Sequence, residues 1–155
     1  MMPIFIKKII EWITDKTLDK LPSFFKRKKC DKNDIHILFV DDEDFAIIDN
    51  LKEARWSVEK INDLHNIEDD CVKRAKIIFV DYKGVGKTFS EKEQGIGIIK
   101  SLKNTYGSSK RIILYSGHNR FSLQDDIKAA DNYLAKNSDT YEFIKMIQDE
   151  VKKIK

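Results

Sequence analysis

Cysteine is nearly missing from this sequence: Cys30 and Cys71 are the only two among 155 residues. They form no CxxC pair, which argues against a disulfide framework or a thiolate zinc site, and a reducing compartment is expected. Two prolines and six glycines leave no low-complexity linker. Apolar runs stop at four to five residues, too short for a transmembrane helix. No apolar stretch near the start is long enough for a typical signal peptide, and no small-residue cleavage site is evident.

What is present is a globular composition, 41% hydrophobic and 35% charged, in a chain long enough for one domain with its own core. The charge is unevenly spread. Residues 1–33 hold nine Lys/Arg and four Asp/Glu, a balance of +5, whereas the remainder carries −2. The chain therefore divides into a basic extension (1–33) and a slightly acidic domain (34–155). An acidic body argues against nucleic-acid binding, and no nucleic-acid partner is expected.

From residue 35 a regular alternation begins. The runs "IHILFV" (35–40), "KIIFV" (76–80) and "RIILYS" (111–116) read as buried strands, and "WSVEKI" (56–61) and "NYLAK" (132–136) complete five. Helical spacing appears over 45–54, weakly over 66–75, and over 95–106, where Ile98, Ile99 and Leu102 share a face. It returns over 123–130 and strongly over 138–154, with Ser138 as a candidate cap, acids near the start and lysines near the end. Continuous apolar strands separated by helices imply a parallel sheet covered on both faces. Ligands in such sheets bind at the carboxyl ends of the strands.

Those ends carry a distinctive set of residues. The first strand runs into Asp41-Asp42, Glu43 and Asp44, the third into Asp81, the fourth into Ser116 and the fifth into Lys136. Neighbouring carboxylates repel one another, so such a cluster is stable mainly around a cation. Hard oxygen donors suit Mg²⁺. A lysine can pair with a carboxylate or with phosphoryl oxygens, and a serine hydroxyl can donate to one of them.

The motifs "FVDDED" (39–44), "FVD" (79–81), "LYSG" (114–117) and "YLAK" (133–136) resemble those of receiver domains of two-component response regulators, over about residues 35–154. The resemblance implies a flavodoxin-like α/β fold, (βα)5, with a doubly wound five-stranded parallel sheet in the order 2-1-3-4-5. It implies Asp81 as phosphoacceptor, with Asp41, Asp42, Asp81 and the backbone carbonyl of Lys83 around Mg²⁺. Lys136 would pair with the phosphoryl group. Ser116 would bond one of its oxygens and move with it, and Tyr133 would match the family's aromatic switch. A histidine kinase or phosphotransfer protein would be the donor, a further protein the target, and autodephosphorylation at most an accompanying catalysis. A stand-alone receiver is expected, located in the cytoplasm.

The sequence departs from the family pattern after Lys136 and after Asp81, and its first helix is about a turn short. Asn137 follows Lys136 where a proline is usual. Gly95 lies fourteen residues after Asp81, so the loop 82–94 is about six residues longer than usual and lacks its proline. This loop contains Gly86-Lys87-Thr88, the tail of a phosphate-binding P-loop, but the first glycine of that motif would fall at Asp81. A carboxylate there repels phosphate, so the P-loop reading is rejected.

Some readings stay open. The strand-end acids taken singly are ordinary loop residues. Tyr133 is core or switch, His118 has no role, and Lys83, Lys87 and Lys92 are solvated or steer an anionic partner. A receiver-like scaffold that is never phosphorylated is the alternative function. In residues 2–29, Ile6, Ile9, Ile10, Ile13 and Leu21 follow one helical face among lysines. That segment would pack on the domain or on another copy, lie on an anionic membrane surface, or remain a free extension.

Overall fold

The computed structural model describes residues 32–154. The self-association and membrane-surface expectations for residues 1–30 lie outside the described residues. After a 3-10 turn at Lys32–Asp34, the elements are β1 (His36–Val40), α1 (Ile47–Glu53), β2 (Ser57–Ile61), α2 (Asp70–Arg74), β3 (Ile77–Asp81) and α3 (Gly95–Tyr106). There follow β4 (Arg111–Ser116), α4 (Gln124–Ile127), β5 (Asn132–Ala135) and α5 (Thr140–Val151). All four strand pairings are parallel, and the sheet order is β2-β1-β3-β4-β5, as the resemblance implies.

Period-two alternation sorts every central strand between two cores. Leu38, Val40, Ile78, Val80, Ile112 and Leu114 face one way, onto Val72 of α2 and onto Ile98, Ile99 and Leu102 of α3. Ile37, Phe39, Ile77, Phe79, Ile113 and Tyr115 face the other way, onto Ile47, Ile48 and Leu51 of α1 and Phe143 and Ile147 of α5. Both faces are buried, which is why these strands read as unbroken apolar runs. On the second face Phe39 stacks on Phe79 at 4.5 Å, and Tyr115 meets both rings edge-on. Each such ring contributes at most about 3 kcal/mol by burial.

Several helices are shorter than their spacing suggests. The 66–75 segment is helical only over Asp70–Arg74, and the 123–130 segment only over Gln124–Ile127, after a 3-10 turn at Arg120–Leu123. The expected Ser138 cap is corrected. Asp139 has the extended backbone of an N-cap; its carboxylate accepts the Glu142 N–H at 2.8 Å, and the Glu142 carboxylate accepts the Asp139 N–H at 3.0 Å. The reciprocal capping box saturates two helix-end donors, whereas the Ser138 N–H is used in a turn to the Ala135 carbonyl. The lysines expected near the end of this helix, Lys152 and Lys153, fall just beyond Val151. No described helix is long and apolar enough to cross a membrane.

Candidate functional site

The strand columns of the second core continue past the sheet edge into polar residues. Two residues beyond Phe39 is Asp41, two beyond Phe79 is Asp81, and two beyond Leu134 is Lys136; the column through Ile113 ends in Tyr115. The alternation that buries the rings thus brings these four side chains together above them. Lys136 Nζ lies 2.9 Å from both Asp41 Oδ2 and Asp81 Oδ2, and 3.5 Å from Glu43 Oε2. Asp41 is 1% exposed and Asp81 6%, so both carboxylates are largely withdrawn from water.

Asp42 projects outward and completes the acidic group: Asp41, Asp42 and Asp81 each offer an oxygen within 4.8 Å of the others. Three carboxylates against one ammonium leave an excess of two negative charges, and all the donors are hard oxygens. The residues therefore fit a divalent ion of the Mg²⁺ kind. A cavity of about 410 Å³ opens beside them, with Asp42, Glu43, Asp81, Lys83, His118 and Lys136 in its wall. The long loop does not fill this space. Gly84 has φ +86°, and a Cβ there would lie 2.6 Å from the Asp42 carboxylate, so only glycine lets the chain pass so close.

The electrostatics follow from this crowding. Burial pushes the Asp81 carboxyl above its ordinary 3.8; the hydrogen bond from Lys136 opposes the rise and the charge on Asp41 reinforces it. Burial acts on Asp41 in the same sense, but donation from the Tyr115 hydroxyl, Lys136 and the Glu43 N–H holds it below 3.8. Burial would also lower Lys136, yet its bonds to Asp81 and Asp41 keep it above 10.5.

Ser116 and Tyr133 belong to the other face of the sheet and share a neighbouring cavity of about 440 Å³. Ser116 Oγ accepts the His118 N–H at 2.9 Å and lies 3.1 Å from His118 Nδ1. The Tyr133 hydroxyl donates to the His118 carbonyl at 3.1 Å, and Arg120 lies over the Tyr133 ring. Gly117 and His118 wall both cavities. The expected residues therefore form two adjoining groups, with the carboxylates and Lys136 in one and Ser116 and Tyr133 in the other.

The contacts of three residues were not read from the sequence. Tyr115, within the run read as a buried strand, donates its hydroxyl to Asp41 Oδ2 at 2.6 Å. The register in which β3 pairs with β4, which the sequence does not reveal, sets Tyr115 beside Asp81. His118, given no role, joins Ser116 to Tyr133. Tyr82 meets the His118 ring edge-on at 5.5 Å and donates to Asp126 at 2.9 Å, tying the loop after β3 to the segment after β4.

The rejection of the P-loop has a structural counterpart. The Gly86 N–H, which would face phosphate in such a loop, donates to Asp63 Oδ1 at 2.7 Å. The next helix begins only at Gly95. Lys83, Lys87 and Lys92 are exposed.

Neither a protein-family model nor a curated protein matches the chain. Solved structures do. A CheY-like response regulator receiver domain protein from Methanospirillum hungatei JF-1 superposes with a TM-score of 0.57 at 18% identity, covering 76% of this chain and 94% of that one. Response regulator TrrA from Thermotoga maritima, in complex with Mg(2+)-BeF, gives 0.57 at 18% identity, covering 75% of this chain and 98% of that one. NtrX from Brucella abortus, in complex with ADP, gives 0.58 at 16% identity over 76% of this chain, which spans only 27% of NtrX. The chain has the fold of response-regulator receiver domains.

Proposed function

We propose that this protein accepts a phosphoryl group on Asp81 and signals through a surface that changes with it. The observation that carries the reading is the sharing of Lys136 between Asp81 and Asp41, both at 2.9 Å, beside the outward carboxylate of Asp42. An Asp81 oxygen would attack phosphorus as the donor's bond to phosphorus breaks, the leaving group keeping the electron pair and taking a proton from solvent. Lys136 would neutralise charge gathering on the transferred oxygens. Asp42, Asp81 and the Lys83 carbonyl would hold Mg²⁺, with Asp41 behind them; the ion would supply further charge neutralisation. The Mg(2+)-BeF complex of TrrA supports this choice of ion by analogy of fold.

Ser116 would then exchange His118 for a phosphoryl oxygen. Because Tyr133 is bonded to the His118 carbonyl, that exchange would reach Tyr133 and the segment 117–131. A histidine kinase or phosphotransfer protein would supply the phosphoryl group, and a protein reading the Tyr133 surface would receive the signal. Incubation with Mg²⁺ and beryllofluoride or acetyl phosphate should give an adduct visible by fluorine NMR or intact mass, and Asp81→Asn should abolish it. A wild-type protein that forms no Mg²⁺-dependent adduct removes the phosphoacceptor reading.

A further inference from the structure

We propose that Tyr115 is a positioning residue of this site: its hydroxyl saturates Asp41 so that Lys136 stays shared with Asp81. This rests on the phosphoacceptor reading for its consequence, but not for its geometry. Asp41 is a buried carboxylate with three protein donors. Its Oδ2 accepts the Tyr115 hydroxyl at 2.6 Å and Lys136 at 2.9 Å, and its Oδ1 accepts the Glu43 N–H at 2.9 Å. Removing the hydroxyl leaves that carboxylate one donor short in a place water scarcely reaches. The donor at hand is Lys136, which would be drawn onto Asp41 and away from the oxygen on which chemistry is to occur.

The hydroxyl is aimed by the core. The ring of Tyr115 is fully buried and stands at 90° to both Phe39 and Phe79, with their centroids at 5.7 and 6.0 Å. Phe45 lies on a further side at 6.2 Å. A ring held on these sides has little freedom to swing, so its hydroxyl is fixed over Asp41. A phenylalanine would fill the same space and make the same ring contacts. The oxygen therefore contributes nothing to filling the core, and among the described residues its hydrogen bond is to Asp41.

The test separates positioning from packing and from the phosphoacceptor reading itself. In the wild-type full chain, the Tyr115 hydroxyl proton should exchange slowly and show a nuclear Overhauser contact to the Lys136 side chain. A rapidly exchanging hydroxyl with no such contact overturns the proposal, and this arm requires no variant to fold. In Tyr115→Phe, the Lys136 ammonium resonance should move, and adduct formation from acetyl phosphate should slow about tenfold, the equivalent of one charge-assisted hydrogen bond. The half-saturating Mg²⁺ concentration should change less than twofold. An unmoved Lys136 resonance with an unchanged rate overturns the proposal, as does a slower rate accompanied by equally weakened Mg²⁺ dependence, which would indicate general loosening. If the wild-type chain forms no adduct, the phosphoacceptor reading fails, and the Lys136 resonance alone decides whether Tyr115 positions it.

Discussion

Gly95 opens α3 directly against the end of β3: a Cβ on it would lie 1.8 Å from the Asp81 carbonyl oxygen. No side chain, however small, fits that gap without moving backbone. Gly95→Ala is therefore expected to destabilise the protein by about 2 kcal/mol or more and to weaken Mg²⁺-dependent adduct formation, checked by urea denaturation and intact mass. At this scale the strand-end acids were legible because each terminates an apolar run, and parallel topology carries run ends to one edge. Tyr115 was not legible, because an aromatic next to three aliphatic residues reads as core and its partner Asp41 lies 74 residues away. The pull of His118 on Ser116 was missed for another reason. It arises from a tight turn after β4, and a histidine in a loop gives no sign of which neighbour it will bond.

Among the elements, α1 ends in a way its sequence hides. The Trp56 N–H reaches the Leu51 carbonyl and the Arg55 N–H the Lys52 carbonyl, the double closure of a Schellman motif, with Trp56 and Leu51 in the same core. That geometry puts Arg55 at φ 65°, where glycine is the usual residue. Arg55→Gly should be neutral to stabilising by about 1 kcal/mol, whereas Arg55→Val should destabilise, both read by thermal melting. The loop 82–94 shows the same dependence on distant partners. Asp63 accepts the N–H groups of Leu64 and Gly86, Thr88 bonds His65, and Gln94 accepts the Gly84 N–H. Asp63→Ala should free the Gly86 amide to exchange with deuterium and cost about 1–3 kcal/mol, since two donors lose their acceptor. Unchanged protection at Gly86 would mean that the loop is held by other contacts. The sequence showed this loop's length but not its order, because Asp63 and His65, which hold it, lie on the loop after β2.

Across the whole molecule, alternation of apolar runs with helical spacing was enough to read a parallel sheet covered on both faces, because strands buried on both sides leave that pattern; the strand order came from the family resemblance. The edge of the sheet opposite the acidic group left no such trace. There Glu150 of α5, fully buried, accepts Arg111 Nε at 2.6 Å, Lys153 at 2.8 Å and Asn132 at 2.9 Å. Arg111 and Lys103 reach on to Asp131, whose second oxygen accepts the Ile112 N–H. On a helix that ends among lysines, Glu150 reads as a surface residue, so the network was invisible in the sequence. Burial alone would raise the Glu150 carboxyl, but Lys153, Asn132 and Arg111 hold it below its ordinary 4.5. A group depressed in the folded state adds stability above its unfolded value and loses it as pH falls through its folded value. Glu150→Gln should therefore be less stable than wild type at pH 7 by about 2–3 kcal/mol, since it leaves Arg111 short of a charge partner. The gap should narrow as the pH drops below about 4.5, where the unfolded chain's carboxyl takes up its proton first, and the gain is lost as the pH falls through the lower folded value. Urea denaturation of both proteins across that range measures the gap directly. A gap that stays constant on acidification would show that the shape of Glu150, and not its charge, ties α5 to β4 and β5.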